Sequence, residues 1–123
     1  AWMRVRLAEI ERMSRPLPMP THVDQRSDQI IYDLMWADPS ERLGIGINDR
    51  GGDIRTFGPD VSRVFLDYWG AQMLIRSHEV PGRQAAFRGR GFEWWHPVAE
   101  DLEPKPLSKK QLGYCLTIFS ASD

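Results

Sequence analysis

The segment GPDVSRVFLDYWG, Gly58 to Gly70, constrains the fold more than any other stretch of the chain. Both of its ends carry helix punctuation. Proline suits the first helical position, where its missing N–H has no intrahelical partner to lose, so Pro59 marks a start. Asp60 puts negative charge in the first turn, where the helix dipole favours it, and Gly70 supplies left-handed backbone just past the end. Val61, Val64, Phe65 and Tyr68 or Trp69 recur at helical spacing and predict the apolar stripe. Met73, Leu74 and Ile75 follow as a short apolar strand, closed by the turn residues Pro81 and Gly82. A helix running into a strand that is apolar on both faces predicts an α/β fold, with helices packed on a mixed β-sheet.

The remaining text is compatible with that class. Val5, Leu7, Ile10 and Met13 have helical spacing, and PLPMP, Pro16 to Pro20, ends that helix because proline lacks a backbone donor. Thr21 to Arg26 is a polar connection. Ser27 is the expected N-cap of a second helix whose apolar face is Ile30, Ile31, Leu34 and Met35, running to about Trp36. Ser40 to Gly52 has loop composition, DIRTF is strand-like, and YCLTIFS, Tyr114 to Ser120, is a second apolar strand. The stretch from Gly89 to Leu112 has three prolines and no sustained period, and is expected to be an inserted surface loop in a single unit spanning 1–123. Ala1 fits either removal of an initiator methionine or the interior of a longer chain.

Charge excludes some functions. Sixteen lysines and arginines face seventeen aspartates and glutamates, so no global field recommends nucleic acid or an anionic membrane as partner. No apolar run approaches the ~20 residues of a membrane-spanning helix. The single cysteine, Cys115, lies in an apolar run, where it is expected to be an inert core thiol. Together these features suggest a soluble protein of the cytoplasm or nucleus.

The chemistry is expected at the end of the Met73–Ile75 strand, because ligands in open α/β sheets bind beyond the carboxyl ends of strands. There LIRSH delivers His78, and a lone histidine is more often structural than functional. The segments DLMWADP (Asp33 to Pro39), INDRGG (Ile47 to Gly52), TFGPDV (Thr56 to Val61), LIRSHEV (Leu74 to Val80) and LTIFSAS (Leu116 to Ser122) supply a second signal. In this order they resemble the PPP family of metal-dependent protein serine/threonine phosphatases, which have a calcineurin-like metallophosphoesterase sandwich, and RSHE with TIFSAS is closest to the EF-hand-containing branch.

The resemblance implies roles residue by residue. His78 matches a ligand of the family's two-metal centre, whose ions are manganese, iron or zinc. Arg50 matches the arginine that contacts the substrate phosphate, and Trp36 and Asp38 match residues lining the substrate cleft. Arg76 and Asn48 lie beside these without an assigned role. The implied reaction is attack on phosphoserine or phosphothreonine of a protein substrate by a metal-bridged water. The family's GDxHG, GDxxDRG and GNHE segments have no counterpart in these residues, and its asparagine and active-site tyrosine are not found at Asp123. The chain therefore matches a C-terminal half of the catalytic domain, expected to be inactive alone and to expose the face that meets the missing N-terminal half.

Two other functions compete with this one. FEWWHP, Phe92 to Pro97, holds aromatic types that dominate interfaces, so the chain could be an inactive pseudophosphatase or protein-binding module with a regulatory protein at the insert. GRQAAFRGRGF, Gly82 to Phe92, interleaves arginine, glycine and phenylalanine as RNA or single-strand binders do. His22 and His96 lack partners at metal-ligand spacing and are expected at the surface.

Overall fold

The computed structural model describes residues 7–16, 26–97 and 113–119. In chain order they form α1 (Leu7–Glu11), α2 (Arg26–Trp36), β1 (Asp38–Pro39), β2 (Ile45–Ile47), β3 (Arg55–Phe57), α3 (Pro59–Trp69), β4 (Leu74–Arg76), a 3-10 turn (Ala85–Phe87), β5 (Phe92–Pro97) and β6 (Gly113–Ile118). The strands make two mixed three-stranded sheets, ordered β1-β3-β2 and β4-β6-β5. In each sheet the middle strand is parallel to one neighbour and antiparallel to the other. The expected α/β class holds.

The helix between the two sheets forms where its punctuation places it. Pro59 opens α3, and Gly70 caps it at φ 63° while the Ala71 N–H bonds the Leu66 carbonyl at 2.9 Å. Gly58 is required for space: a Cβ there would lie 2.1 Å from the Arg42 carbonyl oxygen. Asp60 does more than complement the dipole, because its Oδ1 accepts the Gly44 N–H at 2.8 Å and ties the loop before β2 to the helix start. The buried residues of α3 are Val61, Ser62 and Leu66, whereas Val64 and Tyr68 of the expected stripe are exposed. Helix α2 is rotated in the same way. It buries Ile30, Ile31 and the polar Asp33 and leaves Leu34 and Met35 outside. Asp33 is tolerated inside because Gln29 donates to it at 2.8 Å and Arg55 pairs with it at 3.5 Å, though burial still pushes its carboxyl pKa up. The helix starts at Arg26, so Ser27 lies inside the first turn and is not its cap.

The core gathers Phe57, Val61, Trp95 and Cys115, with Ala37 and Leu74 packed against it. Register explains the set: Leu74 and Trp95 both sit opposite Cys115, and Arg76 and Glu93 both sit opposite Thr117, on one face of the second sheet. Burial raises the Cys115 thiol to about 12, which makes it inert at neutral pH. On the other face Ile75 is 59% exposed, so β4 is covered on one side only among the described residues.

Two expectations for the segment after Gly89 are corrected. Phe92–Pro97 is a strand paired along its length with β6, and Glu93, Trp95 and His96 are buried. Trp95 belongs to the core, Trp94 is half-buried and Phe92 is exposed, while the rest of the segment, 98–112, lies outside the described residues, as does His22. The Gly82–Phe92 stretch likewise loses its stacking platform, since Phe87 is buried against Phe92 and Arg83 is paired with Glu79.

His96 is a structural bolt, not a surface residue. At 2% exposure, its Nε2–H donates to the Ser40 carbonyl beyond β1 at 3.0 Å, and its Nδ1 accepts from the Ser62 hydroxyl on α3 at 2.8 Å. The neutral imidazole thus joins both sheets and the helix with no bond left over. Burial holds its pKa down at about 4 against an ordinary 6.5. A base with a depressed folded pKa binds fewer protons folded than unfolded, so stability falls as pH drops from about 6.5 towards 4. The expected loss is on the order of 2–3 kcal/mol. Asp33 and Glu79, whose pKa values are raised, act with the opposite sign and stabilise on acidification. Urea titrations across this range should show a shallower pH dependence for His96→Gln than for the parent protein. Equal slopes would remove His96 from this role.

Candidate functional site

The site is assembled where the carboxyl ends of β1 and β4 meet the turn after β2. Helix α2 ends at Trp36, and Asp38 enters β1 with its carboxylate fully buried, at 0% exposure. Three donors converge on it. Asn48 Nδ2 donates to Oδ2 at 2.6 Å, Arg76 Nη2 donates to Oδ1 at 2.8 Å, and Arg50 Nη2 donates to Oδ2 as a close ion pair. A buried carboxylate with this many donors, two of them cationic, is fully compensated.

Each donor is aimed by its local backbone. Asn48 accepts the Arg50 N–H on its own side chain at 3.0 Å, an Asx turn that folds the NDRG loop back and projects Arg50. Its carbonyl accepts the Gly51 N–H at 3.0 Å, and Gly51, at φ 78°, adopts the left-handed conformation that the turn requires. Arg76, at the end of β4, also donates to the Ala37 carbonyl at 3.2 Å, to Thr117 at 3.3 Å and to Glu79 at 3.2 Å. It is the hub joining the two sheets at this end.

His78 stands two residues beyond β4 at φ 85°, a conformation rare for a residue with a side chain. Its ring meets Trp36 edge-on, with centroids 4.6 Å apart and planes at 83°. Arg50 Nη1 lies 3.5 Å from its Nε2. The guanidinium of Arg50 is thus gripped by Asp38 through one nitrogen, while the other reaches the exposed imidazole. His78 and Arg50 are thus brought side by side at an exposed position.

The local charge favours an anion. Arg50, Arg76 and Arg83 supply three positive charges, and Asp38 and Glu79 supply two negative ones, within one chain of ion pairs. One positive charge remains. Burial, then the neighbouring Asp38, pushes the Glu79 carboxyl pKa up, while Arg83 and Arg76 pull it down. Of the residues implied by the resemblance, Asp38 departs from its expected position. Buried and saturated, it can reach a bound molecule only through Arg50 and Arg76.

Among the described residues no group of three or more histidines, cysteines, aspartates or glutamates could hold a metal ion, so these residues do not fit a metal centre on their own. No helix among them is long and apolar enough to cross a membrane.

No protein-family model matches the chain. Individual proteins do. Serine/threonine-protein phosphatase T of Schizosaccharomyces pombe is 32% identical over 115 residues, covering 94% of this chain. Human serine/threonine-protein phosphatase 5 is 35% identical over 89 residues, covering 72%. A solved protein serine/threonine phosphatase from Saccharomyces cerevisiae, described as similar to human phosphatase PP5, superposes on 97% of the chain with a TM-score of 0.61 and 26% identity. The chain belongs to the PPP family of serine/threonine phosphatases. It spans 18% and 13% of the two curated PPP relatives and 28% of the solved one, and it corresponds to the C-terminal half of the calcineurin-like fold.

Sequence reading left Arg76 and Asn48 without a role and did not single out Glu93, yet all three carry the hydrogen bonds that hold this end of the fold. Arg76 looks like the polar end of a strand, Asn48 like loop text, and Glu93 like part of an insert. Glu93 is fully buried on β5 and accepts the Gly82 N–H at 3.1 Å and the Gln84 N–H at 2.6 Å, pinning the turn that follows His78 and Glu79. The one available signal was an isolated acid inside the aromatic run FEWW, a pattern expected of a strand with one carboxylate facing in.

Proposed function

We propose that this chain is the phosphate-gripping part of a protein serine/threonine phosphatase acting on phosphoserine and phosphothreonine in protein substrates. The observation that carries the proposal is the split grip on Arg50, tied to Asp38 on one side and 3.5 Å from His78 Nε2 on the other. A planar cation held in this way suits two phosphate oxygens and is ready where negative charge develops during transfer. Asp38, Arg76 and Asn48 act as positioning residues for Arg50. Trp36 sets the His78 ring and forms a wall of the substrate cleft.

His78 would supply one ligand to the family's two-metal centre, of manganese, iron or zinc, and the remaining ligands would come from the domain's other half. A reducing intracellular compartment suits the unpaired Cys115. A regulatory partner, if one binds, would have to use surfaces other than the buried aromatics of β5.

In this chain assembled with the N-terminal half of the domain and supplied with manganese and a phosphopeptide, Arg50→Ala should lower kcat/KM by about 10²–10³-fold. Arg50→Lys should recover only part of this, because an ammonium cannot reproduce the fork. An unchanged kcat/KM in Arg50→Ala defeats the proposal. The 123-residue chain alone should show no turnover above its His78→Ala variant.

A further inference from the structure

We propose that the open edge of β2 is a strand-addition site, on which the polypeptide beside the phosphorylated residue lies extended and pairs its backbone with Ile45 and Ile47. The inference rests on the phosphatase reading for the identity of the ligand and adds how that ligand is recognised beyond its phosphate.

Among the described residues β2 is the outermost strand of its sheet and pairs with β3 alone. The residues flanking it turn their backbones inward: the Gly44 carbonyl accepts the Gly58 N–H at 2.8 Å, and the Asn48 N–H donates to Ile54 at 3.0 Å. Backbone groups alternate along a strand, so Ile45 and Ile47 turn their N–H and C=O groups to the free edge. Proteins usually blunt such edges with proline, lysine or a bulge, because an unprotected edge recruits another strand. The sequence Ile45-Gly46-Ile47 has none of these, all three residues are exposed, and Ile47 is 84% exposed.

A groove of about 630 Å³ lies beside the strand, lined by Gly46, Ile47 and Asp49, by Thr56 of β3, and by Gln84 and Trp95. The Trp95 indole N–H has no hydrogen-bond partner among the described residues. Gln84 is fixed in this lining, because Glu93 holds its N–H at 2.6 Å and its Nε2 donates to the Trp94 carbonyl at 2.7 Å. Arg50 is three residues beyond Ile47, across the turn that Asn48 closes, so its backbone lies at most roughly 10 Å from the end of the edge, a span that two to four residues of an extended peptide cover. Among the charged side chains lining the groove, Glu41 and Asp49 offset Arg42 and Arg83. Main-chain pairing, with weak dependence on flanking sequence and salt, is the recognition this surface can provide.

The test uses the chain assembled with the N-terminal half of the domain and a fluorescent peptide carrying a non-hydrolysable phosphonate analogue of phosphoserine with five residues on each side. N-methylation of alternate backbone amides on one flank, which removes donors without touching the protein, should weaken binding about tenfold, while the same change on the other flank leaves it intact. Ile47→Pro, which removes an edge donor, should weaken the peptide by a similar factor and leave competition by inorganic phosphate unchanged. If binding depends on the phosphonate and on Arg50 but ignores N-methylation on both flanks, the strand-addition site is wrong and the phosphatase reading stands. If the peptide binds equally without its phosphonate, or does not bind at all, both fail.

Discussion

Asp38→Ala should cost about 3–5 kcal/mol of unfolding free energy, because it strips the shared carboxylate from Arg76 and Arg50 and leaves a largely buried guanidinium without its counter-charge. Arg76 is only 12% exposed in its side chain and would retain Glu79 as its one charged partner. Asp38→Asn is not a mild substitute. Its amide would face Asn48, Arg50 and Arg76, all donors, and present N–H groups where acceptors are needed. Urea unfolding with an unchanged m-value is the measurement, and a loss below about 1 kcal/mol would mean that the buried carboxylate is not the keystone of this end of the fold. A double-mutant cycle with Arg76→Met should return a coupling of about 1–3 kcal/mol, since the two residues share one network.

The second large effect is at Glu93. Glu93→Ala removes two hydrogen bonds from a charged acceptor and leaves the Gly82 and Gln84 N–H groups without it, an expected cost of about 3–5 kcal/mol. The consequence reaches the site. The turn released is the one that carries Arg83 and follows His78 and Glu79, so amide exchange at Glu79–Gln84 should accelerate more than exchange in α3. Uniform acceleration across the chain would instead indicate global destabilisation and no local anchor. Glu93→Gln, which keeps one acceptor, should fall between the parent and the alanine variant.

Much of the architecture was legible because it depends on local chemistry. Pro59, Asp60 and Gly70 bound α3 by their own backbone properties, and Arg55–Phe57, Leu74–Arg76 and Gly113–Ile118 are strands where apolar and β-branched residues cluster. The site was legible in part. Arg50 and His78 were named from their motifs and do meet, whereas Arg76, Asn48 and Glu93 gave no periodic signal, since what defines them is a partner 10 to 41 residues away. Helix faces were misjudged for a related reason. The stripe through Val64 and Tyr68 is apolar, but the space beside α3 is taken by Val61, Ser62 and Leu66, with Ser62 held inside by His96.

By itself, then, the sequence determined the bounds of α3, the strands at Arg55–Phe57, Leu74–Arg76 and Gly113–Ile118, the α/β class, and which residues belong to the PPP motifs, because capping, turn chemistry and side-chain period act over a few neighbours. The tertiary structure alone decided that Asp38 is buried beneath Arg50 rather than lining a cleft, that His96 bolts two sheets together, and that the FEWWHP segment is a core strand. The physical reason is common to all three. A polar group is stable inside a protein only when distant parts of the chain satisfy it, and no local pattern records which parts those will be.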